Sequence, residues 1–150
     1  TQLEAVAALA NLARNQSNQQ KIVEQGALEP LALAMRSSND ELIRQAARCL
    51  ANVSLNAENQ SMILDAGMIA PLVAALRSSD EEVRRLAAMA TANLAVYEGN
   101  QVQMVAEGVL APINDMLKSE NEDIELQAAR CLAYLSQHEE NKVQIARDVG

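Results

Sequence analysis

Gly26-Ala27-Leu28-Glu29-Pro30-Leu31 is written again as Gly67-Met68-Ile69-Ala70-Pro71-Leu72 and a third time as Gly108-Val109-Leu110-Ala111-Pro112-Ile113, each copy 41 residues after the last. Repetition at a fixed period of this length marks stacked units rather than one closed core. The same offset holds away from these turns. It relates Asn18, Asn59, Asn100 and Asn141, and it relates Ser37, Ser78 and Ser119. The pair Ala46-Ala47 recurs as Ala87-Ala88 and Ala128-Ala129. Asn11, Asn52 and Asn93 follow it too, and Tyr134 breaks that series.

Each unit reads as three helices. The first is short, with Ile22-Val23, Ile63-Leu64, Met104-Val105 and Ile145-Ala146 as its apolar pair. It closes at the recurring glycine, which takes the left-handed backbone of a helix end without strain. The second opens around Pro30, Pro71 and Pro112, since proline fits a first turn where its missing N–H has no partner anyway. Leu28, Leu31 and Met35, then Ile69, Leu72 and Leu76, then Leu110, Ile113 and Leu117 give that helix one buried stripe. Arg36, Arg77 and Lys118 close it, as cations suit a helix C-terminus. The third helix is the longest, expected over 39–55, 80–96 and 121–137. Ser78-x-x-Glu81 and Ser119-x-x-Glu122 read as capping boxes at its start, and Ser37-x-x-Asp40 as a weaker one.

The chain then divides into a third helix of a truncated repeat at 1–17, whole repeats at 18–58, 59–99 and 100–140, and a first helix at 141–150. Solenoids carry atypical capping units at their ends. Neither end reads as one, so a piece of a longer array is expected. Leu3, Val6 or Leu9 at one end, and Val143 and Ile145 at the other, should leave apolar surface. Self-association through the uncapped ends, or frayed termini, follows from that.

The composition fits an all-α chain. There is no Phe or Trp and there are two Tyr, so the core must be closely packed Ala, Leu, Val, Ile and Met. The net charge of −8 argues against a nucleic-acid partner, which needs a basic face. No run approaches the 18 or so apolar residues of a membrane span, so no membrane insertion is expected. Two cysteines and no secretory signature suggest a reducing compartment, cytoplasmic or nuclear. Cys49 and Cys131 stand two periods apart. Two helix layers separate them by roughly 20 Å, too far for a disulfide.

Catalytic chemistry finds little support. The only histidine, His138, lies seven residues beyond Cys131 on one predicted helix, a rise of about 10 Å, and that is too far for a nucleophile–base pair. No phosphate loop, nucleophile elbow or zinc-ligand spacing occurs, so no enzyme, metal or other cofactor is expected. The carboxylate runs Asp80-Glu81-Glu82 and Glu120-x-Glu122-Asp123 sit at third-helix starts, where anions suit the helix dipole.

Polar residues on the third helices are more informative. Asn costs roughly half a kcal/mol against Ala in a helix interior, so its recurrence needs a reason. It either satisfies a neighbouring helix end or offers one donor and one acceptor to a peptide backbone. Arg48 and Arg130 lie one turn before Asn52 and Tyr134 on the same face. They are either solvated side chains or guanidinium forks for a carboxylate or phosphate. Met89 is either core filler or an apolar groove contact.

The whole chain resembles the armadillo repeat family. The resemblance rests on the short–medium–long helix trio, the three Gly-x-x-x-Pro turns, and the third-helix motifs Ala51-Asn52-Val53 and Ala92-Asn93-Leu94. It implies an all-α, right-handed superhelical solenoid without strands, whose concave groove is lined by third helices and binds extended peptides. It also implies that an Asn in this place holds the peptide backbone. Importin-alpha-like members carry a Trp one turn earlier. Ala7, Arg48, Met89 and Arg130 stand there in this chain, which is nearer the beta-catenin-like members. The expected groove row is Asn11, Arg48, Asn52, Met89, Asn93, Arg130 and Tyr134. The expected partner is an extended peptide segment of another protein, acidic or phosphorylated at residues about six apart. Two alternatives are a structural spacer with an idle groove and a nuclear-transport-type adaptor.

Overall fold

The computed structural model describes the backbone of residues 1–149 and the side chains of residues 1–147. Among the described residues there are eleven α-helices and no strand. The first helices of the units are α2 (Gln16–Glu24), α5 (Ala57–Asp65), α8 (Gln101–Ala106) and α11 (Glu139–Val149). The second helices are α3 (Leu28–Met35), α6 (Ile69–Leu76) and α9 (Leu110–Met116). The third helices are α1 (Gln2–Leu12), α4 (Asp40–Val53), α7 (Glu81–Ala95) and α10 (Glu122–Leu135). They stack in chain order, α1 on α4, α4 on α7 and α7 on α10, so the molecule is a solenoid of three-helix repeats.

Local signals set most boundaries. Gly26, Gly67 and Gly108 have φ of 87°, 78° and 95°. At Gly26 and Gly108 two backbone bonds close the first helix, Gly26 N–H to Val23 O with Ala27 N–H to Ile22 O, and Gly108 N–H to Val105 O with Val109 N–H to Met104 O. Pro30, Pro71 and Pro112 fall in the first turn of their helices, as the sequence requires.

Four expectations need correction. The serines do not cap the third helices. Asn39, Asp80 and Asn121 do, accepting from the N–H groups of Leu42, Val83 and Ile124. Ser37, Ser78 and Ser119 each accept the N–H of the residue that caps, two positions on, and so fix the turn before it. The third helices are therefore shorter than the expected spans. A capping box does form at Thr1 with Glu4. Next, the first helix is the shortest only in the third repeat, where α8 has 6 residues against 7 in α9; α2 and α5 have 9 residues against 8 in α3 and α6. Asn15 and Asn56 cap them upstream of Asn18 and Asn59 and lengthen them. Tyr97 takes that place in the third repeat and cannot cap, so a 3-10 turn over Glu98–Asn100 precedes the short α8. Third, Leu117 is only partly buried and Met116 takes its place in the core. Fourth, Val6 is buried under α4, while Leu3 and Leu9 are half-buried. At the other end Val143 is exposed and Ile145 packs partly against the core.

The units are locked by the second Asn series. Asn59 donates to Val53 O at 2.9 Å in its own unit and to Gln19 O at 2.9 Å one unit back. Asn100 repeats this with Leu94 O and Gln60 O, and Asn141 with Leu135 O and Gln101 O. Each Asn is buried, and its amide joins the C-terminal end of the third helix before it to the first helix one unit back. Cys49 and Cys131 are buried free thiols, pushed up to about 12 by the loss of water around them.

Candidate functional site

The third helices carry a row at every fourth residue: Arg44, Arg48 and Asn52 on α4, Arg85, Met89 and Asn93 on α7, and Leu126, Arg130 and Tyr134 on α10. Residues four apart share a helix face. Stacking of the helices turns the three faces into one strip.

Ionic bridges run along this strip, and sequence reading missed them. Arg44 holds Glu41 at 2.7 Å on its own helix and Asp80 at 2.6 Å on the next. Arg85 holds Glu82 at 2.6 Å on its own helix and Asp123 at 3.1 Å on the next. Arg48 approaches Glu82 only to 3.9 Å. Three of these carboxylates respond to their neighbours. The Val83 N–H, then Arg44, hold the Asp80 carboxyl below its ordinary range. Arg85 does the same for Glu82. Gln45 and then Arg44 lower Glu41.

The predicted row is dispersed in environment. Asn11 is exposed and Asn52 half-buried, and neither amide has a hydrogen-bond partner among the described residues. Asn93 is different: it is 3 % exposed. Its Nδ2 donates to Ala51 O at 3.2 Å and to the Ser54 hydroxyl at 3.1 Å. The hydroxyl exists only in this junction, because the equivalent residue behind Asn52 is Ala13. Both Asn93 donors are thus committed to the end of α4. Its Oδ1 accepts from Arg130 Nη2 at 3.4 Å.

Arg130, Tyr134 and Asn93 are brought together. The Arg130 guanidinium donates through Nη1 to Gln127 Oε1 and lies 6.0 Å from the centroid of the Tyr134 ring. It has no carboxylate within ion-pair distance among the described residues. A guanidinium has five N–H donors, so three remain here. Met89 is half-buried against the core between the two Arg positions.

The groups considered for catalysis lie elsewhere. His138 Nδ1 accepts the Glu140 N–H at the start of α11, and Cys131 is sealed in the core. Among the described residues no group of three or more His, Cys, Asp or Glu could hold a metal ion. No single described helix is long and apolar enough to cross a membrane.

Comparison with known proteins agrees with this architecture. Residues 15–55 and 56–96 each match the Armadillo/beta-catenin-like repeat. No curated protein matches the chain. Among solved structures, computationally designed armadillo repeat proteins for modular peptide recognition align at 32% identity and a TM-score of 0.90, over 99% of this chain and 63% of that one. A designed armadillo repeat protein in complex with the peptide (KR)4 aligns at 34% identity and a TM-score of 0.81, over 88% of this chain and 56% of that one. An engineered protein aligns at 33% identity and a TM-score of 0.92, over 99% of this chain and 37% of that one. The chain therefore spans less than two thirds of each of these structures.

Proposed function

The chain belongs to the armadillo repeat family, and on that premise we propose that its third-helix strip binds an extended, acidic or phosphorylated segment of another protein. It is a protein-interaction scaffold on this reading. Asn52 and Asn11 hold the peptide backbone through free amides. Arg48 and Arg130 select the charge.

One observation carries the choice of charge. Arg44 and Arg85 are each closed off by two carboxylates, whereas Arg130 touches only amide oxygens and a ring. A guanidinium preorganised in this way offers its remaining donors to a carboxylate or phosphate without breaking an ion pair. Arg48 is nearly as open, because Glu82 is held far more closely by Arg85. The two arginines are two repeats apart, roughly 20 Å at 10 Å per helix layer, which about six extended residues cover. The designed neighbour with (KR)4 supports peptide binding by this fold. The opposite charge preference proposed here rests on the arginines of this chain.

The net charge of −8 opposes an acidic ligand at long range. Screening over about 8 Å at physiological salt confines that effect, and local contacts decide. A second reading, a spacer with an idle groove, is favoured by Asn93, whose donors are already used inside the protein. Titration of the chain with a labelled peptide bearing two phosphoserines about six residues apart separates the two. The proposal requires saturable binding that is lost in Arg48→Glu/Arg130→Glu. Tighter binding of the matching lysine peptide contradicts it, and no binding of either peptide favours the spacer.

A further inference from the structure

Leu55, Val96 and Gln137 follow the row residues Asn52, Asn93 and Tyr134 by one turn. Their N–H groups donate to those residues' carbonyls at 3.2, 3.3 and 3.1 Å, so the helical path continues and each stands beside its row residue. Leu55 is 58% exposed, Val96 42% and the adjoining Tyr97 46%. Three of the eight large apolar side chains exposed among the described residues thus border one edge of the strip. Single exposed apolar residues are ordinary, but a row aligned with a candidate groove is a contact surface.

The edge changes chemistry at the third repeat. Its equivalents of Val96 and Tyr97 are the polar Gln137 and His138. There the cation Arg130 becomes the distinctive group, without a carboxylate among the described residues. The edge is therefore apolar along the first two whole repeats and polar at the third, where Arg130 lies in the strip beside it.

We infer that the ligand is a protein segment with two apolar side chains about three residues apart and an anionic side chain about three residues beyond the second. This rests on the peptide-binding reading above and adds its sequence pattern. One repeat, about 10 Å, corresponds to about three extended residues. In an extended backbone of about three residues per turn, side chains three apart face the same way, so the apolar pair and the anion share one side of the ligand. The apolar pair seats at Leu55 and at Val96 with Tyr97. The anion, a carboxylate or a phosphoserine, seats at Arg130.

Fluorescence anisotropy on the whole chain tests this with short labelled peptides. The first carries two leucines at the stated spacing and a terminal-side glutamate. Others replace the leucines by serine, change their spacing by one residue, or replace the glutamate by phosphoserine or lysine. Each pattern is measured in both chain orders and the tighter order is compared. Serine for both leucines should weaken binding about tenfold or more. The altered spacing should weaken it too, and lysine should abolish it. Leu55→Ser/Val96→Ser should erase the preference for leucine over serine. Arg130→Glu should erase the preference for the anion. Both variants substitute solvent-facing positions, and circular dichroism checks that they stay helical. If anionic peptides bind but leucine and serine versions bind alike, this inference fails and the groove reading stands. If no peptide binds at all, both fail.

Discussion

Asp80 joins two repeats through its two oxygens: Oδ1 accepts the Val83 N–H at 3.0 Å and caps α7, while Oδ2 takes Arg44 Nη1 at 2.6 Å and ties α7 to α4. One carboxylate thus sets a helix start and the stacking of its neighbour. Asp80→Ala should destabilise the chain by about 1–2 kcal/mol through the lost cap. Asp80→Asn keeps an oxygen at the cap and loses only a partly exposed ion pair, which costs about 0.2–1 kcal/mol. Urea denaturation compares the two. Equal losses would show that the bridge to Arg44, not the cap, dominates.

Acid should unlock the same bridges. Glu41, Asp80 and Glu82 all have folded pKa values below their ordinary ones. The unfolded chain therefore binds protons before the folded one does. The stability they contribute is complete above the ordinary carboxylate range and is lost as pH falls through and below it. Thermal midpoints should drop on acidification from neutral pH, and Arg44→Met/Arg85→Met should flatten that drop. An unchanged slope in the double variant would remove these arginines as its cause.

The Asn clasps should matter more than the Asn row. Asn59→Ala removes two buried hydrogen bonds, to Gln19 O and Val53 O, at a cost of about 1–3 kcal/mol in all. Asn18 makes one exposed bond, to Leu12 O, so Asn18→Ala should cost well under half as much. Chemical denaturation of the two variants gives the ratio. Equal costs would mean that the bond across the repeat boundary adds nothing.

How legible this was in the sequence depended on range. The glycine turns and proline starts were readable because each acts within a few residues. The serine caps were misread because Ser37, Ser78 and Ser119 sit two positions before the true caps and fit the same short pattern. The ionic bridges escaped because Arg44–Asp80 and Arg85–Asp123 span 36 and 38 residues, neither of them the repeat period. The commitment of Asn93 was hidden for a related reason. Its partner Ser54 lies 39 residues back and has no counterpart behind Asn52. The resemblance to armadillo repeats placed the row; only the structure distinguishes the paired arginines from Arg130.

The two thiols report on the core. Both titrate near 12 because burial disfavours the thiolate, the reactive form. Ellman's reagent at neutral pH should find neither Cys49 nor Cys131 in the folded chain and both in denaturant. Fast modification of either before unfolding would contradict their burial.

The central claim is that the third-helix strip is the binding face and that Arg130 is its open cation. Backbone amide shifts during titration with the doubly phosphorylated peptide test it most directly. The account predicts changes along 44–55, 85–97 and 126–138, largest around Arg130 and Tyr134 and absent in Arg130→Glu. Changes centred on the second helices α3, α6 and α9, or unaltered by Arg130→Glu, would contradict it.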